Sequence, residues 1–173
     1  LVFQYPEYQL FEETVYADIA FGPKNMGLEG DELKKRVLET CELIGVKGEY
    51  LEKSPFDLSG GEKRRVAIAG VMAMRPEVLA APPAGLDPGG RENVMKIIHD
   101  YRAATGATVI IISHSMEDMA LLADRLLVMN KGRLEMFDTT ENVFKNGGRL
   151  REIGLNVPIV TQVFYELKKS GVP

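Results

Sequence analysis

Leu58-Ser59-Gly60-Gly61-Glu62, followed at once by Lys63-Arg64-Arg65 and the apolar run from Val66, is the stretch on which the fold turns. Ser59 stands where a helix begins, and the two glycines let the main chain approach a ligand with no side chain in the way. The first N–H groups of such a helix have no intrahelical acceptor, so an anion completes them. The same five residues also describe an ordinary Ser-capped helix with Glu62 supporting its first turn. The rest of the chain has to separate these two readings.

The 173 residues, 45% of them hydrophobic, suffice for one domain with a real core. A net charge of −4 and a pI near 5.3 argue against nucleic acid as a partner, because neutralising many phosphates needs a basic face. Cys41 is alone, so no disulfide forms within the chain, and its helical setting with Leu33, Val37, Leu38 and Ile44 suits a small buried thiol in a reducing compartment. No apolar run reaches the roughly eighteen residues of a membrane span, and the start lacks the layout of a signal peptide. Leu1-Val2-Phe3-Gln4-Tyr5-Pro6 opens without Met inside a strand-like run, which reads as a cut end.

Outward from the glycine pair, 12–50 reads as helical, interrupted at Gly22-Pro23 and resumed from Asp31 with apolar positions 33, 37, 38, 41 and 44 in one stripe. The spacing predicts a helix from Arg64 to Met74, a very short strand at 77–81, and an amphipathic helix from Asn93 to Ala104 with Val94, Ile97, Ile98 and Tyr101 inward. Thr108-Val109-Ile110-Ile111-Ile112 has the look of a central parallel strand covered on both faces, with His114 just past its end. A helix from Met116 to Ala123 precedes a hairpin turning at Asn130-Lys131-Gly132, so a mixed sheet is expected. Thr140 should cap a short helix through Phe144, Gly147-Gly148 should end it, and Val160, Val163, Phe164 and Leu167 stripe a final helix. The eight Met residues read as packing, and Lys63, Arg64 and Arg65 as a solvated or interface-facing turn.

In order, the chain offers Gln4 after an apolar strand, the Leu58–Glu62 helix start, the turn Ala84-Gly85-Leu86-Asp87, and His114 after a buried strand. Together these resemble the nucleotide-binding domain of ABC transporters. The opening segment, Val2-Phe3-Gln4-Tyr5-Pro6-Glu7 with Gln9-Leu10-Phe11-Glu12-Glu13-Thr14-Val15 and then Ala20-Phe21-Gly22-Pro23, is similar to the ATP-binding subunits of energy-coupling factor transporters, importers of vitamins and metal ions. The resemblance runs over essentially the whole chain. It implies an α/β fold of the ABC-type P-loop NTPase class without its N-terminal part, a mixed sheet with helices plus a small α-helical lobe. Residues 1–173 are then a partial domain: helical lobe and signature helix over about 8–75, remaining RecA-like core over 76–138, C-terminal helices over 139–173.

The resemblance also assigns roles. Gln4 is the Q-loop glutamine that reaches magnesium and the attacking water, and the one possible metal contact retained. Ser59, Gly60, Gly61 and Glu62 are the signature that holds the γ-phosphate of ATP bound to the opposite subunit. Asp87 lies in the D-loop, and His114 matches the switch histidine. Glu7, Glu12 and Glu13, with Asp18 nearby, fall in the groove that receives a coupling helix from the membrane subunit, where acids should favour a basic helix. Implied partners are a second ATP-binding subunit (a homo- or heterodimer), a transmembrane coupling subunit and a separate substrate-binding membrane component, at the cytoplasmic face of the membrane. Implied cofactors are ATP and Mg2+.

The pattern breaks at one interior point. Where the family carries Asp and Glu at the end of the Walker B strand, counting back from Gly85-Leu86-Asp87 finds Ala80 and Ala81, before Pro82 and Pro83. An alternative alignment keeps both alanines as strand and deletes the acids. Either way the magnesium anchor and the base for the lytic water are gone, and no Walker A loop occurs among the 173 residues, so negligible hydrolysis is expected of this chain. Two other readings stay open: a non-catalytic interaction or regulatory fragment that occupies the partner-binding surface, and a soluble ABC-type ATPase of another pathway.

Overall fold

A computed structural model describes residues 1–81 and 88–170. They fall into two compact units, Leu1–Ile112 and Ser113–Pro173. The 76–138 stretch is therefore shared between units.

The first unit is built around α1 (Val15–Asn25), α2 (Gly30–Ile44) and α3 (Gly60–Ala73). Thr14 caps α1 by accepting from the Ala17 N–H at 3.1 Å. Gly45, at φ +75°, ends α2 in the left-handed conformation that glycine takes without strain. Gly22-Pro23, expected to break the first helix, lies inside α1. Pro23 has no N–H to give to the Ile19 carbonyl, and the helix ends two residues later at Asn25. The glycine is needed for a close approach, since a Cβ on it would stand 2.6 Å from Met74 Cγ and 2.7 Å from Met74 Sδ. Gly70 of α3 likewise lies close under the Asp18 carbonyl, so α1 and α3 cross on small residues. Val15, Ile19, Val66, Ile68, Ala69 and Met72 fill the contact, all essentially inaccessible to solvent. In α2, Val37, Cys41 and Ile44 face inward as expected, but Thr40 takes the fourth buried position. Leu38 is 44% exposed instead. Thr40 satisfies its hydroxyl on the Arg36 carbonyl at 2.8 Å. Burial alone pushes the Cys41 thiol up to about 11, which keeps it protonated.

Strand β1 (Val78–Ala81) pairs in parallel with β2 (Thr108–Ile111), Ala81 opposite Ile111, and α4 (Pro88–Thr105) connects them. On the other side of β1 the Val2 N–H donates to the Ala80 carbonyl at 2.8 Å, which fixes the opening segment against the strand. Val94, Ile97, Ile98 and Tyr101 are buried as their spacing predicts, and the Tyr101 hydroxyl donates to the Pro76 carbonyl. The expectation that the 108–112 run is covered on both faces fails: Ile110 is 48% exposed, and Ile112, just past the end of β2, 62%.

The second unit holds α5 (Met116–Leu122), the hairpin of β3 (Arg125–Asn130) and β4 (Arg133–Thr139), then α6 (Thr140–Lys145), α7 (Gly147–Glu152) and α8 (Ile159–Lys169). Lys131 and Gly132 both have positive φ, the two-residue geometry that matches the twist of the flanking strands. Among the described residues the two strand senses occur in separate two-stranded sheets, one parallel and one antiparallel. Thr139, one residue before the expected position, caps α6 by accepting from Asn142, and Gly147-Gly148 opens α7 directly. The stripe expected on the last helix is present but faces out, with Val160 and Phe164 each 67% exposed. Among the described residues no helix is long and apolar enough to cross a membrane.

Candidate functional site

The start of α3 has the geometry its sequence suggests. Ser59 is extended, its Oγ accepts from the Glu62 N–H, and the Glu62 carboxylate accepts from the Ser59 N–H at 2.9 Å and its hydroxyl at 2.6 Å, a complete capping box. Those bonds, the side-chain one from Ser59 first, with help from the Tyr50 hydroxyl, hold the Glu62 carboxyl down to about 2. Tyr50 is in turn flanked by two ammonium groups, Lys53 Nζ 4.7 Å and Lys47 Nζ 5.5 Å from its ring centre. Sequence reading missed this layer because it comes from a different segment with no local signal.

Gly60 and Gly61 are exposed, and a Cβ on either would meet nothing within 4 Å. Neither has a positive φ. The fold therefore makes no demand for glycine at these positions. Their N–H groups precede the first intrahelical bond, from the Lys63 N–H to the Ser59 carbonyl at 2.9 Å. What the missing side chains leave is open approach to two helix-start donors.

Gln4 is exposed in the segment between Val2, bonded to β1, and the 3-10 turn Pro6–Gln9. With Ala81, Arg64 and Ile68 it lines a small apolar hollow. Ala80 and Ala81 both lie within β1, Ala81 1% exposed, so their methyl groups are parts of the strand's packing. That donor set does not suit Mg2+, which takes carboxylate and water oxygens. Asp87 lies outside the described residues. His114 is exposed on a bend after β2, at the start of the second unit, just before Ser115 caps α5.

The acids of the opening segment divide. Glu7 receives both arms of a fork from Arg64, Nη2 to Oε1 at 2.7 Å and Nε to Oε2 at 3.1 Å, with each side chain 16% exposed. Burial works to raise the Glu7 carboxyl, but the Arg64 bonds and charge outweigh it and hold it below the usual value. Arg64 is thus engaged within the chain, where the sequence suggested a solvated or interface-facing turn. Asp18 is buried on α1 and accepts from the Phe11 and Glu12 N–H groups, both at 3.3 Å. Burial raises its carboxyl despite those bonds. Among the described residues neither Glu12 nor Glu13 makes such a bond, and Phe11, next to them in sequence, lines a cleft of about 360 Å³ with Phe21, Met26, Val71 and Met74. Phe11 and Phe21 meet edge to face at 4.8 Å and stay more than 40% exposed.

A helix start with open glycines, a glutamine beside a strand end and an apolar cleft in the same unit are what comparison with known proteins has to explain. The family model described as ABC transporter matches residues 1–81. The energy-coupling factor transporter ATP-binding protein EcfA2 of Caldanaerobacter subterraneus subsp. tengcongensis is 53% identical over 175 residues, covering 100% of this chain. Residues 1–81 are thus ABC transporter family sequence. EcfA2 of Clostridioides difficile is also 53% identical, over 99% of this chain. The chain spans 61% of the length of each of these two relatives. Among solved ABC structures, cbiO1 from Clostridium perfringens, part of the ABC transporter complex cbiONQ, superposes with a TM-score of 0.74 at 37% identity, over 95% of this chain and 66% of that one. The ATP-binding cassette MJ0796, a dimer in a post-hydrolysis state bound to ADP and Pi, gives 0.63 at 25% identity, over 80% of this chain and 61% of that one. The α/β fold of the ABC ATPase class is therefore that of this chain.

Proposed function

We propose that this polypeptide is the signature-bearing part of the ATP-binding subunit of an energy-coupling factor importer for vitamins or metal ions, in which ATP hydrolysis by the intact subunits drives transport. The observation that carries this reading is the pair Gly60-Gly61: glycines that the fold does not require, standing in open space before the first bond of α3. Ser59 Oγ and the N–H groups of Gly60 and Gly61 would bind the γ-phosphate of ATP held by a second ATP-binding subunit, a homo- or heterodimer partner. Gln4 would keep the Q-loop role, and His114 that of the switch histidine. The Phe11–Phe21 cleft with Glu12 and Glu13 would receive a basic helix of a transmembrane coupling subunit, and a separate membrane component would select the substrate. The assembly would sit peripherally on the cytoplasmic face of the membrane.

Ala80 and Ala81 support a further element: this chain does not itself hydrolyse ATP, since neither side chain offers an oxygen for Mg2+ or for orienting water. That substitution also favours a second reading, an interaction fragment that occupies the partner surface without turnover.

The two are separated by sedimentation of the chain with a complete EcfA-type subunit. ATP-dependent association that Gly61→Asp abolishes supports the signature role, because the new side chain enters open space and an acid suits a first helical turn, so folding is preserved. Association indifferent to both ATP and Gly61→Asp would replace it with the interaction reading.

A further inference from the structure

Gln4 has no rigid element of its own. It stands between two anchors, the Val2 N–H on the Ala80 carbonyl and the buried Pro6 that starts the 3-10 turn carrying Glu7. The first anchor belongs to β1. The second is held to α3 by the Glu7–Arg64 fork, and Arg64 lies one helical turn beyond Gly60. A planar guanidinium that gives two parallel bonds to one carboxylate fixes orientation as well as distance, and low exposure on both sides limits its exchange with water.

We infer that Arg64 is a positioning residue, a clasp that ties the segment holding Gln4 to the signature helix so that displacement of Ser59–Gly61 is passed to the glutamine. Its functional meaning rests on the signature role proposed above; its mechanics do not. Lys63 and Arg65 flank it in sequence but make no fork to this segment among the bonds described, so the coupling belongs to Arg64. A lysine in its place keeps the charge and loses the second arm.

The test uses the full chain and the side-chain amide resonances of Gln4. In wild type, Ser59→Ala should shift them; in Arg64→Lys and in Glu7→Gln the shift should disappear, and in the exchanged pair Glu7→Arg with Arg64→Glu it should return. Amide exchange over residues 4–9 should rise roughly tenfold in each single variant and stay unchanged in α4, as expected when a charged hydrogen-bonded pair of this kind is opened locally. If Ser59→Ala shifts Gln4 equally with the fork cut, or if the exchanged pair behaves like the singles, the clasp is refuted. Glu7→Gln serves as the independent variant should Arg64→Lys melt early. Should the clasp hold while ATP-dependent association proves insensitive to Gly61→Asp, only the functional reading falls.

Discussion

Single atoms set the tightest constraints in this molecule, and Gly22 shows how. Its missing Cβ is where Met74 lies, so Gly22→Val should destabilise by about 1–3 kcal/mol through overpacking, and adding Met74→Ala should recover much of the loss in chemical denaturation. The space that Gly22 gives up was invisible in sequence, where Gly-Pro announced only a break. Glu62 offers a pH test. Its folded carboxyl titrates at about 2 against an ordinary 4.5, so the folded chain holds it ionised. The capping-box contribution is then complete above 4.5 and is lost as pH falls toward 2. The Ser59 amide proton should follow that titration, with a midpoint near 2 in place of 4.5. A midpoint at the ordinary value would mean the capping box does not persist in solution.

Elements follow their local signals wherever those signals are strong. The hairpin is legible from Asn130-Lys131-Gly132, and Gly132→Ala should cost about 1 kcal/mol because φ +75° strains any Cβ, a loss readable as a lowered melting temperature. The Ser59 cap, α4 with its four inward residues and the strands β1 and β2 were equally open to periodicity and turn chemistry. What eluded reading depended on partners far along the chain. Glu7 meets Arg64 across 57 residues, and no spacing rule connects them. The apolar character of Ile110, Ile112, Val160 and Phe164 identified their elements correctly, but a hydrophobic pattern states what a face would bury against and not whether that neighbour is at hand. Within the candidate site, glycines, serine and glutamine were legible as motif; Tyr50 and the division of labour among the acids were not.

At the scale of the whole molecule, the alanines proposed to stand at the Walker B positions are part of the strand's packing. Ala81 is enclosed within β1, so Ala81→Glu should not restore hydrolysis; an unpaired carboxylate there should instead cost about 3–5 kcal/mol and lower the melting temperature sharply. Metal-dependent turnover by the unaltered chain, free of contaminating ATPases, would contradict the proposal that it is inert. The open surroundings of Gly60 and Gly61 bear on how such a protein fails. A side chain added at either site should leave the melt, the yield and the resistance to proteases intact, so a screen that scores cellular abundance should rate these positions tolerant. Under the signature role proposed above, damage here would give a well-made polypeptide, present in full quantity, whose fault shows only when its association is assayed.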